Sequence, residues 1–132
     1  MATQTVKKIY SDIDFTFTKK PVTADVALSY DSQAVIRSVR NLLLTNHFER
    51  PFNPQIGSGL DALLFEPVSS ITSSLLENEI RTTIENFEPR ATLNEVTVTP
   101  EPDKNAYSVY LSFYIENSTL PTTVTLLLER NR

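Results

Sequence analysis

The chain has no cysteine, no tryptophan, one histidine, one methionine and only two glycines in 132 residues. Without cysteine, neither a disulfide nor a thiolate metal site can form. The single histidine, His47, stands beside Phe48 in a turn-rich stretch, and one imidazole without a partner motif makes neither a catalytic triad nor a zinc set. No apolar run approaches the roughly 20 residues a membrane span requires. The first eight residues lack the apolar stretch of a secretory leader. A basic excess is also missing. The net charge of −4 argues against a nucleic-acid binder, since neutralising phosphates needs a basic surface. Nor is there a phosphate loop, because Gly57-Ser58-Gly59 lacks the third glycine, the lysine and a preceding strand.

What remains is an ordinary globular composition, 40% hydrophobic and 21% charged, sufficient for one core and therefore one domain. Both glycines fall in the stretch from Glu49 to Leu60, two residues apart, after Arg50, Pro51, Phe52 and Pro54. Glycine adopts positive φ or admits a close backbone approach, so this loop is expected to have a demanding shape. Gly57 or Gly59 should hold positive φ, and Phe52 should pack inward.

The period of the apolar residues gives the order of elements. Residues 1–30 have no helical period; Phe15 and Phe17 alternate in a short extended piece, and the stretch reads as an N-terminal arm. A first helix should start at Asp31 or Ser32, either of which can cap it. It places Val35, Val39, Leu42 and Leu43 on one face and ends near Thr45. A second, short helix from Gly59 to about Phe65 follows, with capping-box spacing at Ser58–Asp61. The third runs from about Ser69 to Phe87 with a stripe of Leu76, Ile80, Ile84 and Phe87. Ile71 and Leu75 lie on another side, so its apolar contacts should change direction. Pro89 stops this helix at or before Glu88.

From Leu93 the period becomes two. Val96 and Val98 mark one strand, and Pro100–Asn105 reads as a turn. Tyr107, Val109, Leu111, Phe113 and Ile115 form one face of the next strand, and Val124, Leu126 and Leu128 one face of a third. The expected fold is α+β: three helices on one face of a small antiparallel C-terminal sheet, in a single domain over 31–132. On the opposite face Tyr110, Tyr114, Thr125 and Leu127 form a surface suited to a partner, or equally to plain cross-strand pairing.

Two motifs, the loop from Glu49 to Leu60 with Leu63-Leu64-Phe65-Glu66-Pro67 behind it, and Phe87-Glu88-Pro89-Arg90, carry a resemblance. Together with the order of elements, they resemble the small baseplate wedge proteins of contractile-tailed phages, the gene-product-25-like or "lysozyme-like" family, which has a relative in the type VI secretion baseplate. The resemblance runs from about Asp31 to the C-terminus. It implies a structural virion protein of the tail baseplate, assembled in the host cytoplasm and repeated sixfold, with no cofactor and no nucleic-acid or membrane partner. It further implies that Glu88, Pro89 and Arg90 fasten to a helical core bundle of other wedge proteins, and that the C-terminal sheet accepts a strand from the tail sheath protein.

Proline between opposite charges would hold carboxylate and guanidinium on a rigid corner, with Arg90 able to form bidentate contacts. On its own, however, Glu88-Pro89-Arg90 also reads as an ordinary helix end with a solvated arginine. Glu88 and Arg90 should face solvent, so alanine there should spare the fold and weaken attachment. The second reading, prompted by the family label, is a cell-wall hydrolase of the lysozyme type. That chemistry needs two opposed carboxyls, one with a raised pKa. Glu77, Glu79, Glu85 and Glu88 on the third helix, and Asp61 and Glu66 around the second, read instead as a solvated face, so no hydrolytic activity is expected. An open strand edge should favour weak self-association, limited by Pro121 and Glu129-Arg130.

Overall fold

The switch of period after Phe87 divides the molecule into a helical half and a sheet half. In a computed structural model, residues 11–13, 19, 28–116 and 118–129 are described. Two short strands, β1 (Ser11–Ile13) and β2 (Leu28–Tyr30), pair antiparallel with each other and lie against the first helix. The stretch read as an arm thus contains a small second sheet. Phe15 and Phe17 lie outside the described residues.

Helix α1 spans Asp31–Leu44 and buries Ala34, Val35, Val39, Leu42 and Leu43, the stripe that its spacing predicts. Helix α2 is a single turn, Leu60–Leu63, shorter than expected. It has no side-chain cap. The Ser58 hydroxyl instead donates to the Leu43 carbonyl at 2.7 Å, answering an end carbonyl of α1 that the helix itself leaves free. Helix α3 spans Ser70–Phe87, and the Ser69 side chain caps it by accepting from the Thr72 N–H. Leu76, Ile80 and Ile84 are fully buried. Ile71 and Leu75 are exposed, so α3 has one packed stripe and its contacts do not change direction within the chain.

The sheet is an antiparallel meander, β3 (Ala91–Glu101), β4 (Ala106–Ile115) and β5 (Thr122–Glu129). Strand β3 runs to Glu101, further than expected. A turn of 3-10 helix, Pro102–Lys104, follows, and Asn105 completes it at φ +52°, a conformation asparagine tolerates. A bulge between Leu93 and Glu95 shifts the register near the start of β3. The inner face of β4 buries Tyr107, Val109, Leu111, Phe113 and Ile115. The Tyr107 hydroxyl is buried but satisfied, donating to the Pro67 carbonyl and accepting from the Ser69 N–H, each at 3.3 Å.

The layers are the sheet, then α3 along it chiefly against β3, then α1 and α2 on α3. One continuous apolar core joins all of them. Glu77 of α3 adds a polar tie: its carboxylate accepts the Val98 N–H at 2.9 Å. That donor is therefore turned away from β4, and α3 occupies the outer edge of β3 at this point.

The loop between α1 and α2 turns on Gly57. It has φ +134°, and a Cβ there would lie 2.6 Å from the Thr45 carbonyl oxygen. Ser58 N–H donates to that same carbonyl at 2.8 Å, so the two backbones cannot separate without losing the bond. Gly59 has an ordinary φ of −92°; its N–H donates to Glu79 at 2.7 Å. Gly57→Ala is expected to destabilise the domain by about 2–4 kcal/mol, through strain plus overlap. Gly59→Ala should cost about 1 kcal/mol or less, because only the Glu79 side chain has to yield. Urea midpoints measure both; a Gly57→Ala midpoint equal to the parent's would refute this account of the loop.

Candidate functional site

Helix α3 ends at Phe87 with Glu88 as its cap, because Pro89 cannot continue it, and β3 starts at Ala91. Glu88 is 3% exposed. Arg90 reaches back and donates two bonds to it, Nε to Oε1 at 2.6 Å and Nη2 to Oε2 at 2.9 Å. The Ser38 hydroxyl of α1 donates to the same Oε2. Backbone bonds complete the corner: Glu88 N–H to Ile84 O, Ala91 N–H to Glu88 O, and Glu116 N–H to Arg90 O. The expectation that both charges face solvent is overturned. The proline places the two side chains on the same side, close enough to pair with each other, and of the three residues only Pro89 is exposed.

Burial pushes the Glu88 carboxyl up, but the Arg90 guanidinium and the Ser38 hydroxyl outweigh it and hold the group below its ordinary value. A carboxyl displaced in this direction is not the protonated acid a glycosidase needs. The other acids of α3 are also not simply a solvated face. Glu77 holds Val98 and Glu79 holds Gly59, and of the three only Glu85 is exposed. Among the described residues, no group of three potential ligands could hold a metal ion. His47 sits 4.0 Å from Glu79 and bonds the Gln55 carbonyl, which is a loop contact.

The outer face of the sheet places Tyr110 directly between Thr97 of β3 and Thr125 of β5, with Tyr114 opposite Thr92 and Leu127 opposite Ser108. Tyr110, Tyr114 and Leu127 are all exposed. The loop residues Arg50, Pro51, Phe52 and Pro54 are exposed as well. Phe52 has no cover at all, which corrects the expectation that it packs inward. Fixed φ at the flanking Pro51 and Pro54 limits the chain's ability to fold it back.

Glu88→Gln is expected to lower stability at pH 7 by about 2–3 kcal/mol, since it leaves Arg90 without its carboxylate while keeping the side chain's shape. The folded pKa of Glu88 lies below the ordinary 4.5. The stabilisation is therefore complete above that value and is lost as pH falls through the lower folded pKa. Urea unfolding of parent and variant from pH 7 to pH 3 should show the gap closing at the acidic end. A gap that stays constant would exclude the ion pair as its source.

Comparison with known proteins agrees with this architecture. The model of the family described as baseplate wedge protein gp25 matches residues 29–120. Baseplate wedge protein gp25 of Enterobacteria phage T4 is 31% identical over 110 residues, covering 83% of each chain. A solved structure from Geobacter sulfurreducens, labelled a tail lysozyme, superposes with a TM-score of 0.74 at 23% identity, over 80% of this chain and 96% of that one. A chain in the six-fold symmetrised baseplate of the anti-feeding prophage gives 0.63 at 23% identity, over 93% and 87%. At that identity both solved structures speak for the fold alone. The extent of the family match and the likeness to the phage T4 protein settle the family: this chain belongs to the gp25 baseplate wedge proteins.

Proposed function

We infer that the chain is a structural wedge component of a contractile-tail baseplate, fastened by its Glu88-Pro89-Arg90 corner and accepting a strand of the first sheath ring along β5. Membership of the gp25 family supports the wedge role, and the buried ion pair makes the corner rigid enough to present Pro89 and the rim of Arg90 to a helix bundle. The unequal edges of the sheet carry the sheath half of the reading. Glu77 takes up the Val98 N–H on the β3 side, whereas β5 is paired only with β4 among the described residues.

The ladder's alternation says which donors are available. Val98 faces Val109, and Val109 faces Leu126. Because the Val98 N–H points away from β4, Val109 exchanges its bonds with Leu126. The N–H groups of Thr125 and Leu127 then point to the open edge. An incoming strand would bond there, with Tyr110 and Leu127 on the outer face beside it. The hydrolase reading has no observation in its favour beyond a label on one similar structure.

Thr125→Pro should remove one outward donor without breaking the β4 ladder. The variant is expected to fold and to enter the baseplate normally, and sheath growth from that baseplate should slow at least about tenfold, the equivalent of about 1.4 kcal/mol. Electron microscopy of reconstituted baseplates given sheath protein reads the number of initiated tails. Parent-like initiation by a folded variant would rule out strand addition at this edge.

A further inference from the structure

The loop between α1 and α2 is built more tightly than a connection requires. Its base is closed by the Asn46–Ser58 bridge and by the wedge of Gly57. Inside it, Phe48 N–H donates to the Pro54 carbonyl at 2.8 Å and Ile56 N–H to Asn53 at 3.2 Å. Glu49 accepts the Asn46 N–H on its carboxylate at 2.8 Å. Phe48 has φ +67°, a conformation that is uncommon for a bulky side chain and signals strain. These restraints do not serve the core. Phe48 is 82% and Phe52 102% exposed, and neither belongs to the apolar cluster. A strained, cross-bonded loop therefore holds two phenyl rings out in water.

The same loop borders the Glu88 corner. Arg50 and Ile56 line a cleft of about 350 Å³ together with Asp12, Ser38, Asn41 and Phe87, and Ser38 is the residue that bonds Glu88. The two motifs, some 30 positions apart in sequence, thus meet on one surface. Arg50 is exposed and has no carboxylate partner among the described residues, while the neighbouring Glu49 carboxylate is committed to a backbone N–H. Arg50 is thus an exposed guanidinium on this loop, next to an exposed Glu49 carboxylate that is bonded back to the loop's own backbone.

From these observations we propose that the loop is an aromatic docking element for a second wedge protein. Phe48 and Phe52 seat in an apolar pocket of that protein, and Arg50 meets a carboxylate on the pocket's rim. Large aromatic side chains flanked by arginine are the usual centres of interface affinity. Holding them in place before contact removes the ordering cost that a flexible loop would incur on binding. The occupant is a protein surface, because two exposed rings and an exposed guanidinium carried on one cross-bonded loop suit an apolar pocket with an anion at its rim. The proposal rests on the wedge reading above, and extends the attachment from the Glu88 corner to the loop.

The test uses the full chain and the other wedge proteins of the same tail, purified as their own complex, with affinity measured by calorimetry. Phe52→Ser should weaken binding about 10- to 100-fold with unchanged melting. Phe48→Asn should weaken it as much while melting at the same temperature or higher, because asparagine tolerates positive φ. A merely structural Phe48 would show the reverse. Since the chain has no cysteine, Phe52→Cys carries one acrylodan label, whose emission should shift blue on adding the wedge complex; a label at Lys104→Cys should not respond. Binding within twofold of the parent by both phenylalanine variants would overturn the docking loop while leaving the wedge reading intact. A blue shift that grows with the labelled chain's own concentration, without partner, would overturn it in favour of a second copy. Failure of the parent chain to bind the wedge complex would overturn both.

Discussion

The helical half and the sheet half are joined in a fixed orientation by one buried carboxylate. Apolar burial is non-directional, so the core can hold α3 against the sheet without fixing where α1 lies. Glu88 supplies the direction. It sits at the junction of α3 and β3, accepts two bonds from Arg90 and one from Ser38 of α1, and the Arg90 carbonyl takes the N–H of Glu116 just beyond β4. Helix α1 and the α3–β3 junction thus meet at one anion, and the end of β4 joins them through the Arg90 backbone. A carboxylate so buried is tolerable only when its oxygens are fully engaged, which is why the proline matters. It turns the chain so that an arginine two residues on can close back as a fork.

Helix α3 repeats this device along its length. Glu77 secures the edge of β3, Glu79 secures the start of α2, and Glu88 the corner. Each carboxylate accepts from a donor at a strand edge, a helix start or a half-buried arginine. An acid-rich helix ordinarily suggests a solvated face or, with a lysozyme-like label, a catalytic pair. Here three acids are engaged in holding separate elements, and they diverge toward different parts of the fold instead of converging on one cleft. The physical demands of hydrolysis and of this scaffold compete for the same side chains.

Much of this was legible in the sequence where periodicity governs. The stripes of α1 and α3, the alternation of β4 and the three-strand meander follow directly from apolar spacing, and the open face with Tyr110 and Leu127 follows from the same alternation. The loop's need for glycine was also legible, although only Gly57 uses it. What was hidden depends on contacts between distant residues. Nothing in Glu88-Pro89-Arg90 alone says that Ser38, 50 positions earlier, will complete the pair. Nothing near Ser58 says that its hydroxyl will prefer Leu43 to a cap of α2. Phe52 was misjudged because hydrophobicity alone points inward, whereas two flanking prolines and a closed loop base hold it outside. For Ile71 and Leu75, too, hydrophobicity alone points inward, but both stand on the side of α3 away from its packed stripe.

The unequal edges of the sheet have a consequence for assembly. A three-stranded sheet with two open edges could pair on either side, and copies of it could chain together without limit. Glu77 and the body of α3 interrupt the β3 side, since an incoming strand would have to displace a charge-assisted bond and move a helix. Among the described residues the β5 side has no such guard along its middle; Pro121 before it and Glu129 at its end are what interfere. Two identical sheets could still meet β5 to β5, but that union consumes both open edges and stops at two. A different chain that offers a strand and carries its own acceptor edge does not stop. It pairs once with β5, then presents a new edge to the next copy. The geometry is therefore compatible with the role proposed above, in which this chain would start a repeating assembly.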